Sequence, residues 1–330
     1  MEHEKFLYLT RSDVAACNVS LDESLRISEE TYAELAKGNC EMPPKPGVHP
    51  NTCPGAFLHA MPAYHKSKGI VGIKWVGVFG HNPMKYQIPS SSALLVLNDI
   101  ETGYPIAVME AGLITAIRTA NASGVSAKFL AKKNAKVLGI VGAGEQGRGT
   151  IISVCRTTPS IEEVRIYDLF PAAIERCLKE VAPQISAKIV VCSSAEEVIR
   201  GADIIATSAP LTEKKPVYHT EWLKEGALVL PVHCNGWPLK LLKEDAKFVV
   251  DDWNQYHNYM FGPGKYYEED MEAPHALLGE VILGTKAGRE NDQEIIVNSN
   301  LGIALQDIAL ADEILRIAKE KNLGQTLSLF

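Results

Sequence analysis

Two hydrophobic rhythms divide the chain. Through about residue 131, helical spacing gives way to long apolar strands; beyond it, short apolar runs alternate with amphipathic stretches. A helix is predicted to open at Ser12-Asp13-Val14, and a second to cover 20–37, where Leu21, Leu25, Ile27, Ala33 and Leu35 are interspersed with acids. The proline-rich stretch 42–54, with Lys45 in the run PPKPG, excludes helix. Strands are predicted at 56–63, 70–78, 93–98 and 105–109, separated by a polar loop at 81–92 and a turn at 101–105. A long helix rich in small residues follows at 113–131.

From Lys136 the pattern changes. Val137, Leu138, Ile140 and Val141 form a run suited to a parallel strand buried on both faces. Further strands are expected at 164–167, 188–192, 202–206, 227–232, 248–250 and 295–297, with helices at 146–157 and 195–200. Residues 254–273 read as a loop, either a surface excursion or a lid. The final helix, 302–322, carries the apolar stripe Ile303, Leu305, Ile308, Leu310, Ile314 and Ile317, which reads as core. Alternating strands and helices of this kind predict an α/β fold.

The first strand of that series leads into Gly142, Gly144 and Gly147, at the GxGxxG spacing. Gly142 suits a tight turn, Gly144 a close approach of backbone to a pyrophosphate, and Gly147 close helix–strand packing. The next strand ends at Asp168, an acid placed to accept hydrogen bonds from a ribose. A carboxylate there repels a 2′-phosphate, and no Arg follows in Leu169-Phe170-Pro171, so NAD(H) is expected over NADP(H). Thr207, Ser208, His233 and Asn235 follow the C-terminal ends of later strands, where open α/β sheets bind ligands.

Two cations stand in unusual places. Lys74 lies inside the apolar run IVGIKWVGV, where either a solvated face or an inward, working amine fits. Arg118 lies amid small and apolar residues, which suits a surface position and a buried anion-binding role equally.

Composition narrows the class. The chain has 330 residues, room for about two domains, with 46% hydrophobic and 22% charged residues, as in globular proteins. A net charge of −7 disfavours nucleic acid or an anionic membrane as main partner. Neither a membrane-length apolar run nor a signal-peptide pattern is seen. Seven scattered cysteines without a CxxC pair suggest reduced thiols in the cytoplasm and no zinc site.

The chain resembles the ornithine cyclodeaminase/mu-crystallin family from about residue 43 to its end. The carriers are GIKW (72–75), TGYP (102–105), LITAIRTA (113–120), LGIVGAGEQG (138–147), VRIYD (164–168), DIIATSAP (203–210) and GIALQDIALA (302–311). The resemblance implies a Rossmann NAD-binding domain, residues 132–301, inserted into an α+β substrate and dimerisation domain made of 1–131 and 302–330. It also implies a homodimer. Lys74 matches a substrate-contacting Lys, and Arg118 an Arg that holds the substrate carboxylate near the nicotinamide. Ser90, Thr119, Glu145, Gln146, Thr207, Ser208, Val232 and Asn300 match positions around the cofactor, and Leu301 a position near the substrate.

Two positions depart from the family pattern. Lys45 stands where the family has a second carboxylate-binding Arg, keeping the charge without the bidentate fork. Asn235 aligns with the catalytic Asp of the cyclodeaminases, and Asn cannot take a proton from an ammonium group. His233 is a candidate substitute base. The resemblance therefore implies hydride transfer at a carbon bonded to nitrogen, in a small amino or imino acid, with Lys74, Asn235 and His233 as candidate catalytic residues. The alternatives are a cyclodeaminase that recycles NAD and a non-catalytic, mu-crystallin-like binding protein.

Overall fold

The computed structural model describes residues 5–209, 211 and 215–330. The chain divides into two compact units, one of residues 1–118 and 303–330, the other of 119–302.

The first unit opens with β1 (Lys5–Leu9), α1 (Arg11–Cys17) and α2 (Leu21–Ala36). Thr10 and Ser20 cap the two helices, accepting from the N–H groups of Asp13 and Glu23. Short strands β2 (Cys40–Glu41) and β3 (Gly47–Val48) follow, then β4 (Phe57–His65) and β5 (Ile70–Val78). After α3 (Asn82–Tyr86) come β6 (Ser91–Asn98), β7 (Pro105–Glu110) and α4 (Gly112–Leu130), whose first N–H groups are capped by the Glu110 carboxylate.

The second unit continues from Thr119, within α4, through β8 (Val137–Val141), α5 (Glu145–Thr157), β9 (Glu163–Tyr167), α6 (Pro171–Val181), β10 (Lys188–Val191), α7 (Ala195–Ile199) and β11 (Ile204–Thr207). It goes on with β12 (Leu228–Pro231), β13 (Lys247–Val250), α8 (Trp253–Met260), β14 (Ala276–Leu277), α9 (Leu278–Ile282) and β15 (Ile296–Ser299). The chain then returns to the first unit with α10 (Ala304–Glu320) and β16 (Gln325–Ser328).

Each unit is built on a sheet. In the first, β16-β1-β7-β6-β5-β4-β2 lie side by side, with β3 also paired to β4. Only β1 and β7 run parallel. Helix α10 covers one face, packing on β4, β5 and β6, and is flanked by α1 and α2. Gly72 explains how closely the helix lies on β5. A Cβ there would stand 2.4 Å from the Val96 carbonyl oxygen and 3.3 Å from the Ile308 methyl group. In the second unit β10-β9-β8-β11-β12-β15-β13-β14 are all parallel, and the strand order reverses about β8. This is the doubly wound Rossmann arrangement. Among the described residues, no helix is long and apolar enough to cross a membrane.

Several expectations need correction. The loop expected at 81–92 contains α3, and β6 begins inside it at Ser91. The loop expected at 254–273 begins with α8, whose first turn is capped by Asp252 accepting from the Gln255 N–H at 2.7 Å. Crowded aromatic residues masked that helical period. β1, β16 and α6 had no counterpart in the sequence reading. The two strands pair with each other across almost the whole chain, Lys5 opposite Ser328, so no local pattern marks them.

Candidate active site

In the second unit the glycine turn sits at the point where strand order reverses. Gly142 has φ +102°, and a Cβ there would stand 2.6 Å from the Ala209 nitrogen, so the turn lies flush against the loop after β11. Gly147 packs so closely that its Cβ would lie 1.9 Å from the Gly142 carbonyl oxygen. Gly144, in contrast, is exposed, and a Cβ there would meet nothing within 4 Å. No side chain caps α5 at Gly144. An uncapped, 13-residue helix above an open glycine is a fitting seat for a pyrophosphate. Glu145 is exposed and Gln146 half-buried in its first turn.

Asp168 follows β9 beside this turn. Its Oδ2 accepts from the Ala143 N–H at 2.8 Å, and its Oδ1 from the Phe170 N–H at 2.9 Å. The carboxylate is thus held rigidly next to the glycine turn, with lone pairs left for ribose hydroxyls.

The loop after β12 carries Val232, His233 and Asn235. The Val232 N–H donates to the Thr207 carbonyl, tying the ends of β11 and β12. The side-chain hydroxyl of Thr207 accepts from the Trp237 indole N–H at 3.4 Å. Cys234 and Gly236 both have positive φ, +60° and +94°, and the Gly236 N–H donates to the Tyr266 hydroxyl at 2.9 Å. Tyr266, in the segment after α8, therefore braces the turn that presents Asn235. The Oδ1 of Asn235 and the Oγ of Ser208 are buried without a hydrogen-bond partner among the described residues. Buried polar atoms rarely stay unsatisfied, so both fit a bound ligand.

His233 is an exposed residue of this turn, and its ring Nε2 lies 2.8 Å from the Ser208 carbonyl oxygen. A carbonyl only accepts, so Nε2 carries the proton and Nδ1 alone remains as a base. The protein packed around this ring lowers its pKa, opposed by the bond to Ser208.

Asn300 is anchored by its side-chain amide, which donates to Ser126 Oγ at 3.1 Å and Asn298 Oδ1 at 3.0 Å. Asn298 in turn donates to the Val249 carbonyl at 3.1 Å. Leu301 packs on the apolar core of this unit, and Thr119 is half-buried on α4.

In the first unit, Lys74 points inward and is fully buried, settling the choice its sequence context left open. Its Nζ donates to Asp307 Oδ2 at 2.7 Å and to Thr115 Oγ1 at 3.2 Å. Arg118 is 8% exposed, and its Nε donates to Asp307 Oδ1 at 3.1 Å. One buried carboxylate thus holds both cations. Burial lowers the Lys74 pKa to about 7, with Arg118 and Lys45 adding to the fall and Asp307 opposing it. Lys45 is half-buried and close enough to act on both Lys74 and His59. Ser90 is half-buried, and its carbonyl accepts from the Phe79 N–H at 2.7 Å just before β6.

The sequence reading missed Asp307. A signal was present: Ile303, Asp307, Leu310 and Ile314 follow helical spacing, so an acid interrupts the apolar stripe of α10. A buried carboxylate needs a cationic partner, and Lys74 was the matching oddity on a strand.

The chain belongs to the ornithine cyclodeaminase/mu-crystallin family, whose model matches residues 4–322. It is similar to the alanine dehydrogenase of Archaeoglobus fulgidus, at 36% identity over 335 residues and 98% of each chain. Among solved structures, it resembles an archaeal alanine dehydrogenase dimer with bound NAD, at 33% identity and a TM-score of 0.86, covering 99% of this chain and 100% of the other. It also resembles Thermococcus litoralis Δ1-pyrroline-2-carboxylate reductase in complex with NADH and L-proline, at 30% identity and a TM-score of 0.86, over 97% and 99% of the two chains.

Proposed function

We propose that this protein is an NAD(H)-dependent oxidoreductase acting on the C–N bond of a small amino or imino acid, as an amino-acid dehydrogenase or an imine reductase. The observation that carries the reading is the buried Lys74–Asp307–Arg118 cluster in a chain that also has a complete dinucleotide turn. Burying three ionised groups is costly, and a purely structural core is better served by apolar side chains. Gly142, Gly144, Gly147 and Asp168 would hold the dinucleotide, whose nicotinamide supplies hydride acceptance or donation.

The remaining work falls to side chains of the first unit. Arg118 is engaged through Nε, which leaves its Nη edge to grip a substrate carboxylate. Lys45 adds a second positive charge. Lys74, titrating near neutrality, takes or returns a proton at the substrate nitrogen. Asn235 offers an amide oxygen where a cyclodeaminase has its acid, so it can accept a hydrogen bond but not a proton. This favours net redox chemistry over cyclodeamination.

A screen of amino acids with NAD, and of keto acids plus amines or cyclic imines with NADH, tests the reading. Turnover that consumes or produces NADH supports it. Conversion of ornithine to proline with no net NADH points to the cyclodeaminase. Dinucleotide binding with no turnover on any substrate points to a binding protein and overturns the reading.

The same proposal includes a homodimer formed through the outer sheet face of the first unit. Trp75 and Leu94 are cross-strand neighbours there, 44% and 48% exposed, on the face opposite Lys74. Ile106 on β7 extends this apolar patch. Leu94→Arg is expected to convert a dimer to a monomer by light scattering. A dimer of unchanged mass in that variant overturns this face as the contact. No disulfide joins any of the seven cysteines, which supports a reducing compartment such as the cytoplasm.

A further inference from the structure

The geometry points to Asp307 as the positioning residue of this site: one buried carboxylate sets both the direction in which the Lys74 amine exchanges its proton and the edge that Arg118 offers to the substrate carboxylate. The inference rests on the oxidoreductase reading and adds to it a residue outside the pattern of glycines, cations and strand-end polar groups.

An amine nitrogen has four substituents, one of them its own carbon. Two of the other three positions on Lys74 are committed, toward Asp307 Oδ2 and Thr115 Oγ1. Thr115 donates its own hydroxyl proton to the Ala111 carbonyl at 2.7 Å, so it faces Lys74 as an acceptor. The third position is therefore the one that exchanges a proton: a lone pair when the amine is neutral, an N–H when it is charged. Asp307 selects which position that is.

Arg118 is oriented by the same group. Asp307 Oδ1 takes the Nε proton. Among the described residues neither Nη group has a hydrogen-bond partner, so the guanidinium is turned with its two-donor edge unused. The carboxylate itself is fixed. Asp307 lies in the first turn of α10, is 0% exposed, and belongs to a helix seated closely on β5 over Gly72.

The charges around Lys74 come from every neighbouring element. Asp307 faces it from α10, and Arg118 from α4. Lys45 acts from the stretch before β3, while His59, diagonal to Lys74 on β4, is held neutral with its pKa lowered to about 4. The nearest strand neighbours, Met61 and Leu95, are apolar. Among the described residues Asp307 is thus the negative charge that opposes burial and the two cations Arg118 and Lys45. Removing its charge lowers the pH at which Lys74 loses its proton.

The test compares wild type with Asp307→Asn, which keeps the shape and loses the charge. Three quantities are measured: NADH affinity by fluorescence, kcat and KM against pH, and the titration of the Lys74 side chain by NMR with 13C-labelled lysine, assigned with Lys74→Met. NADH affinity is expected within twofold of wild type, because the hydrogen bonds of Asp307 go to Lys74 and Arg118 and not to the glycine turn or Asp168, which would hold the dinucleotide. The limb of the kcat profile that reports Lys74 is expected to move down by at least one pH unit. KM for the carboxylate substrate is expected to rise at least tenfold. A pH profile and KM that match wild type, with only the melting temperature changed, would make Asp307 structural and overturn the inference. If wild type binds NADH yet turns over nothing, the oxidoreductase reading fails. The NMR titration still decides the role of Asp307: a downward shift of Lys74 in Asp307→Asn supports it, and an unmoved titration refutes it. If Asp307→Asn does not fold, Asp307→Glu replaces it. Retained Lys74 titration with a raised KM then supports the inference, and unchanged values of both overturn it.

Discussion

A Cβ on Gly147 would lie 1.9 Å from the carbonyl oxygen of Gly142. The first turn of α5 therefore rests directly on the turn that ends β8, and any larger residue must push them apart. Gly144, between them in sequence, has open space around it and φ −67°, which suits any residue. The two glycines thus separate folding from ligand binding. Gly147→Ala is expected to lower stability by about 1–3 kcal/mol or more, as overpacking does, and to abolish NADH binding. Gly144→Ala is expected to keep stability within about 0.5 kcal/mol, as for a tolerated surface change, while weakening NADH binding at least tenfold. Chemical unfolding and fluorescence titration of both variants check this.

Asp168 is fixed by two backbone N–H groups, at 2.8 and 2.9 Å, and cannot easily swing away from a 2′-phosphate. Wild type should prefer NADH over NADPH by at least tenfold in kcat/KM. Asp168→Ser should narrow that gap, chiefly by raising KM for NADH, because a neutral hydroxyl neither repels the phosphate nor accepts from both ribose hydroxyls. A wild-type preference for NADPH would contradict this assignment.

Arg118 tests whether the fork or the charge matters. Arg118→Lys keeps one positive charge near Asp307 but loses the planar Nη edge. KM for the carboxylate substrate should rise at least tenfold, with NADH affinity unchanged. Steady-state kinetics at saturating NADH would show it, and equal KM values would rule out a bidentate grip.

His59 gives the fold a pH dependence. It is 4% exposed on β4, and burial together with Lys45, His49 and Lys74 lowers its pKa from 6.5 to about 4. Between those values the unfolded chain binds a proton that the folded chain refuses. Stability therefore rises with pH from about 4 to 6.5 and falls as pH drops through that window. The contribution is at most about 3.5 kcal/mol, at about 1.4 kcal/mol per pH unit. Urea unfolding at pH 5 and pH 7 should differ by about 2 kcal/mol more in wild type than in His59→Gln.

Much of the second unit was legible in the sequence because its signals are local. A buried strand, three glycines, a helix and a terminal acid lie within residues 137–168, and Gly147 answers a contact with Gly142, five residues earlier in the same turn. The short helix at 253–260 was lost because its aromatic residues bury on several sides and blur the period.

By itself, the sequence determined the glycine turn, the acid beside it, the alternation that makes a doubly wound sheet, and the two cations out of place in apolar surroundings. Only the tertiary structure decided which way those cations face, because strand register and the docking of α10 bring residue 307 onto residue 74 across the chain. A side chain's period tells which face it occupies, but its charge partner depends on which distant element is packed there. The low-dielectric interior then turns that packing into chemistry.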